Sequence, residues 1–131
     1  MDVMNKAAAR QADTDHSAEL RGFFGIADKW GLSTDQQIKL LGSPPRSTFF
    51  KWKKDGGSLS PDTRERISHV VSIYRCLRIL FPDDALTHDW IKRENGAPPF
   101  GGKSALDFMM ATGSIVDLYK VRAYLDAQRG G

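Results

Sequence analysis

Apolar residues in this chain recur at three- and four-residue intervals, and the polar stretches between them carry helix caps and breakers rather than strand alternation. From about Glu19 to Trp30, the residues Leu20, Phe23, Phe24, Ala27 and Trp30 trace one side of a helix, which Gly31 ends. Ser33 or Thr34 caps a second, short helix with Ile38 and Leu41 facing inward. Gly42-Ser43-Pro44-Pro45 reads as a turn, a third helix runs from about Arg46 to Lys54, and Asp55-Gly56-Gly57 stops it. The fourth helix is the longest. Ser60 caps it, Pro61 suits its first position, Asp62 complements its dipole and Pro82 ends it. Ile67, Val70, Val71, Tyr74, Leu77 and Phe81 form one stripe, and Ile73, Cys76 and Leu80 a second. Such a helix must be covered on more than one side, as a central strut, a dimer interface or both.

Beyond Pro82 the pattern becomes finer. Asp83 or Asp84 opens a fifth helix with Leu86, Trp90 and Ile91 as its apolar residues, closed by Asn95-Gly96. Ala97–Gly102, APPFGG, is an irregular loop in which Phe100 must either tuck back or meet a partner. Ser104, with Asp107 three residues on, resembles a capping box for a helix through Leu106, Met109 and Met110. Gly113 ends that helix, and Ser114 with Asp117 repeats the device. The last helix turns Leu118, Val121 and Leu125 inward and stops near Gln128, leaving Arg129-Gly130-Gly131 as a free tail. Met1–Ser17, polar and Ala-rich, reads as a mobile tail with helical character near Asn5–Ala12. The expected fold class is all-α. A tail (1–18) leads into a helix-turn-helix domain (19–81), continuous with a small helical domain (82–131).

Charge sharpens the third helix. The chain of 131 residues carries a net charge of +3, but from Lys51 to Arg78 there are seven basic and three acidic residues, whereas Pro82 to Gly131 has six basic and seven acidic. The front half is suited to phosphates and the back half to something else. Within the third helix Phe49 and Trp52 fall on one side with Thr48, while Arg46, Ser47, Phe50, Lys51 and Lys54 fall on the other. An apolar face that anchors and a basic face that projects is what a helix needs to lie in a DNA major groove. Two other readings stay open: a helix basic for solubility, or a dimerisation or packing unit that no longer binds DNA. Pro44-Pro45 in the turn and the bulk of Phe50 speak for the second.

Candidate chemistry adds little. Gly102-Lys103-Ser104 ends like a phosphate-binding loop, but Ala97 stands where the first glycine is required and no strand precedes it. His16, His69 and His88 are far apart and lack a metal-pair spacing, so no metal or cofactor is expected. Cys76 lies in a helix expected to be buried, and a lone cysteine builds no disulfide framework. Asp83-Asp84 is explained by capping. No catalytic residues are expected. Neither a membrane span nor a signal peptide is present, which points to the cytoplasm.

The ordered combination of motifs resembles the antitoxins of the Xre/MbcA/ParS family. LLGSPPRSTFFKWKK and the following LSPDTRERISHVVSIYRCLRILF resemble the Xre-like helix-turn-helix. Trp90-Ile91, NGAPPFGG, KSALDFMM, Gly113 and DLYKVRAYLDAQRGG resemble the toxin-binding domain. Ala105 stands where such proteins often have proline, and the end after Leu125 is short for the family. The resemblance implies a toxin–antitoxin pair in which a homodimeric antitoxin covers the NAD site of a RES-domain toxin, one that degrades NAD or transfers ADP-ribose, and represses its own operon. It assigns DNA contact to Arg46, Ser47, Phe50, Lys51 and Lys54. Toxin contact falls on Phe100, Gly101, Gly102, Tyr124, Arg129 and Gly130. The alternative is a dimeric helix-turn-helix regulator of operator DNA with no toxin partner.

Overall fold

The computed structural model describes residues 15–130, and its regular structure there is helical. In chain order the helices are α1 (Ser17–Lys29), α2 (Thr34–Leu40), α3 (Arg46–Asp55), α4 (Pro61–Leu80), α5 (Asp84–Lys92), α6 (Ala105–Thr112) and α7 (Ile115–Gln128). Local chemistry sets most of the boundaries. Ser33 forms a reciprocal capping box with Gln36. Ser60 Oγ accepts from the Thr63 amide, the Asp83 carboxylate from Ala85 and Ser104 Oγ from Asp107. Gly113 closes α6 in the left-handed region at φ 68°. An isolated antiparallel bridge joins Glu94 to Ser104 and closes the base of the 95–103 loop.

The core follows α4, which packs most extensively on α7 and then on α1. Ile67, Val70, Ile73, Cys76 and Leu77 are buried, against Leu20, Phe23, Ala27 and Trp30 in the first half and Leu118, Val121 and Leu125 in the second. The chain itself therefore covers both apolar stripes of α4. Val71, Tyr74, Leu80 and Phe81 are left half-buried and Ile79 faces outward. Two polar clusters tie the halves together. The Arg66 guanidinium, 11% exposed, donates to the Gly113 carbonyl at 2.7 Å, to Asp62 at 2.9 Å and to the Leu40 carbonyl at 3.5 Å. Asp84 accepts from Tyr74, Lys29 and Arg78, joining α5 to α1 and α4. These donors, Tyr74 and Lys29 foremost, hold its carboxyl below the usual carboxylate range.

Several expectations change. Helix α1 starts at Ser17, inside the stretch read as tail. His16 is buried, accepts from the Leu59 amide through Nδ1 at 2.8 Å, and donates its own amide to the Gly57 carbonyl. The helical reading near Asn5–Ala12 lies outside the described residues. Leu86 is exposed because it lies roughly 140° round α5 from Ile91, leaving Thr87 and Ile91 to face in. Leu41 is buried as expected at the end of α2, but Gln37 and Leu40 are buried as well and Ile38 is only half-buried. The Gln37 amide is satisfied by the Leu32 carbonyl. Ser114 caps α7 through Val116, while Asp117 accepts from the Thr112 hydroxyl, so no capping box forms there. Arg129 is not free: it is the C-cap of α7, and its guanidinium reaches Cys76 Sγ at 3.6 Å and Asp126 at 4.0 Å.

Candidate functional site

The first surface is α3. Phe49 is fully buried and meets Phe24 of α1 edge-on at 5.6 Å, and Phe24 in turn meets Phe23. Trp52 and Thr48 are half-buried on the same side. This seat turns Arg46, Ser47, Phe50, Lys51 and Lys54 outward, and all five are exposed. Phe50 is held at 5.2 Å from Phe49, and Arg46 lies over its ring at 5.7 Å. Arg46 Nη1 also donates to Asp35 of α2 at 2.8 Å. That partner, eleven residues earlier in the chain, has no periodic or motif signal from which it could have been read. Gly42 and Ser43 make the turn between α2 and α3 at φ 94° and 59°, the left-handed region that glycine enters without strain.

The second surface gathers the end of the chain. Phe100 does not meet solvent: it is 2% exposed, ringed by Trp90 at 6.1 Å, Phe108 at 5.7 Å and Tyr124 at 5.0 Å. Its loop closes on itself, with the Phe100 amide donating to Ala97, Gly102 to Asn95 and Lys103 to Phe100. Gly101 and Gly102, at φ 60° and 95°, are the outward part of that loop. Tyr124 is half-buried between Phe100 and Trp90, while Arg129 and Gly130 are exposed at the last turn. The fold thus joins the loop to the final helix through Phe100 and Tyr124. Of the six residues, Gly101, Gly102, Arg129 and Gly130 are exposed, with the Arg129 guanidinium directed at Cys76 and Asp126, and Phe100 lies beneath the loop that carries the two glycines.

Among the described residues no group of three or more His, Cys, Asp or Glu side chains is placed to hold a metal ion. His16, His69 and His88 sit on separate elements, and Ser104 of the Gly-Lys-Ser triplet is a buried helix cap. Cys76 is buried; its thiol donates to Asp126 at 3.2 Å, and burial pushes its pKa up, away from a reactive thiolate. No helix among the described residues is long and apolar enough to cross a membrane.

Comparison with known proteins matches this division. Residues 9–72 match the antitoxin Xre-like helix-turn-helix domain, and residues 76–131 match the antitoxin Xre/MbcA/ParS C-terminal toxin-binding domain. A relative from Sinorhizobium fredii, the uncharacterized protein y4oB, is 62% identical over 114 residues, covering 87% of this chain and 86% of that protein. The chain belongs to the Xre/MbcA/ParS antitoxin family. In this antitoxin the two matches meet inside α4, so one helix serves both units and the boundary is no linker. The α3 surface lies in the first match, and the loop and last helix lie in the second.

Proposed function

We propose that this antitoxin binds and neutralises a RES-domain toxin that consumes NAD or transfers ADP-ribose, by seating its C-terminal end over the entrance of the toxin's NAD site. The observation that supports this most is the packing of Phe100 on Tyr124, which fixes the Gly101–Gly102 loop against α7. Both elements fall within the toxin-binding match. Arg129 and Gly130, at the end of α7, are the residues nearest the toxin's cleft. The α3 face contacts operator DNA and represses the antitoxin's own operon. The antitoxin acts as a homodimer and stays in the cytoplasm with its toxin, and it carries out no catalysis.

The test is to purify the product of the neighbouring gene and follow NAD in its presence. NAD loss is expected, and it is expected to stop at about one equivalent of this protein. A neighbouring product that leaves NAD untouched, or that turns it over regardless of this protein, overturns the reading. The second reading, a dimeric regulator without a toxin, has the exposed basic side of α3 in its favour. It predicts operator binding together with indifference to the neighbouring product.

A further inference from the structure

Helix α7 is apolar on two opposite sides. Leu118, Val121 and Leu125 face α4 and are buried. Val116, Tyr119, Ala123 and Ala127 fall within an arc of roughly 80° on the other side, about opposite Leu125. Val116 is 54% exposed, Tyr119 is 57% exposed, Ala127 is exposed and Ala123 is half-buried. Lys120, paired loosely with Asp117 at 3.9 Å, flanks this ridge on one side, and Asp126, beside Arg122 and Arg129, flanks it on the other. Large exposed apolar side chains elsewhere stand one to a helix: Phe50 on α3, Ile79 on α4 and Leu86 on α5. On α7 two lie a turn apart. A helix apolar on both faces is one that is covered on both.

The ridge is also held still. The Tyr119 ring packs edge-on against His69 of α4 at 5.9 Å, and Arg122 Nη1 lies 3.2 Å from His69 Nδ1. A half-exposed tyrosine fixed in this way has already lost much of the rotamer freedom that binding would otherwise take from it, as aromatic anchors of interfaces do. Ala123 and Ala127 let another backbone approach closely. Along the helix axis the ridge ends within a turn of Gly130 and lies inside the stretch that matches the toxin-binding domain, whereas Arg129 sits roughly 120° round the helix, toward α4.

We propose that the Val116–Tyr119–Ala123–Ala127 ridge is the docking strip that seats the toxin, with Tyr119 as its anchor. This rests on the toxin-binding reading of residues 76–131. The complementary surface is an apolar groove on the toxin, edged by a carboxylate or carbonyl that meets Lys120. The ridge supplies affinity and the chain end supplies occlusion, so the two are separable.

The experiment titrates the purified neighbouring gene product with wild-type protein, with the double variant Val116→Glu/Tyr119→Glu and with Tyr119→Phe. The double variant is expected to bind at least tenfold more weakly and Tyr119→Phe within about threefold of wild type, both keeping the wild-type unfolding midpoint. Wild-type affinity in the double variant overturns the ridge while leaving the toxin reading standing. No binding by wild-type protein overturns both. Loss of self-association with unchanged toxin affinity shows a second copy on the ridge and also overturns it. Should the double variant unfold, Ala127→Arg at the exposed end of the strip puts the same question by bulk and charge.

Discussion

Phe100 shows how one side chain organises a surface without belonging to it. Its ring fills the space between α5, α6 and α7, touching Trp90, Phe108 and Tyr124. Truncation to alanine leaves a cavity that three separate elements would have to collapse to fill. Phe100→Ala should therefore cost about 3–5 kcal/mol in urea unfolding, and Phe100→Leu markedly less. A loss under about 1 kcal/mol would show that the aromatic cluster is not what fixes the loop. At this scale the sequence posed the right question, since a phenylalanine between prolines and glycines must go somewhere. It could not answer, because the three rings that receive it come from distant turns of other helices. The same holds for Arg46 and Asp35, and for His16, whose bond to the Leu59 amide spans most of the first unit. Polar pairs between elements leave no period to read.

Caps and stripes, by contrast, are local, and the elements were legible where they carry the chemistry. Ser33, Ser60, Asp83 and Ser104 each start the helix their position promised. Leu86 and Asp117 went astray for opposite reasons. A short helix tolerates an outward leucine, and the Asp117 carboxylate found a nearer donor in the Thr112 hydroxyl. Helix α3 has the clearest element-level consequence. Its buried Phe49 seat leaves Arg46, Lys51 and Lys54 outward together, a spacing that lets three cations face phosphates at once. Replacing the three by alanine should weaken operator binding. It should also reduce the slope of log K against log salt by about one for each phosphate that is no longer neutralised. Thermal stability should change little, because all three are exposed. An unchanged slope in electrophoretic or fluorescence titrations would remove this face from DNA recognition.

On the scale of the whole molecule, the outcome turns on what covers α4. Its apolar excess suggested a second copy, yet α1 and α7 of the same chain cover most of it. What stays open is a groove of about 690 Å³ between α1 and α4, lined by Ala18, Gly22, Ser68, Val71 and Ser72, with Glu65 and Arg75 along α4. A helix pair related by a two-fold axis must be its own complement. Antiparallel α4 helices crossing near Val70 place Glu65 of each copy opposite Arg75 of the other, and Ser68 opposite Ser72. The small residues on both walls allow the close approach that such a crossing needs, and we place the interface of the proposed homodimer here. Sedimentation at micromolar concentration should show a dimer for the wild type. Glu65→Arg and Arg75→Glu should each shift it towards monomer by setting like charges face to face. The two changes combined restore opposite charges across the axis and should restore the dimer. A monomeric wild type, or a dimer indifferent to both single reversals, excludes this interface. Recovery in the double reversal is the decisive result, since general destabilisation by either charge change could not produce it.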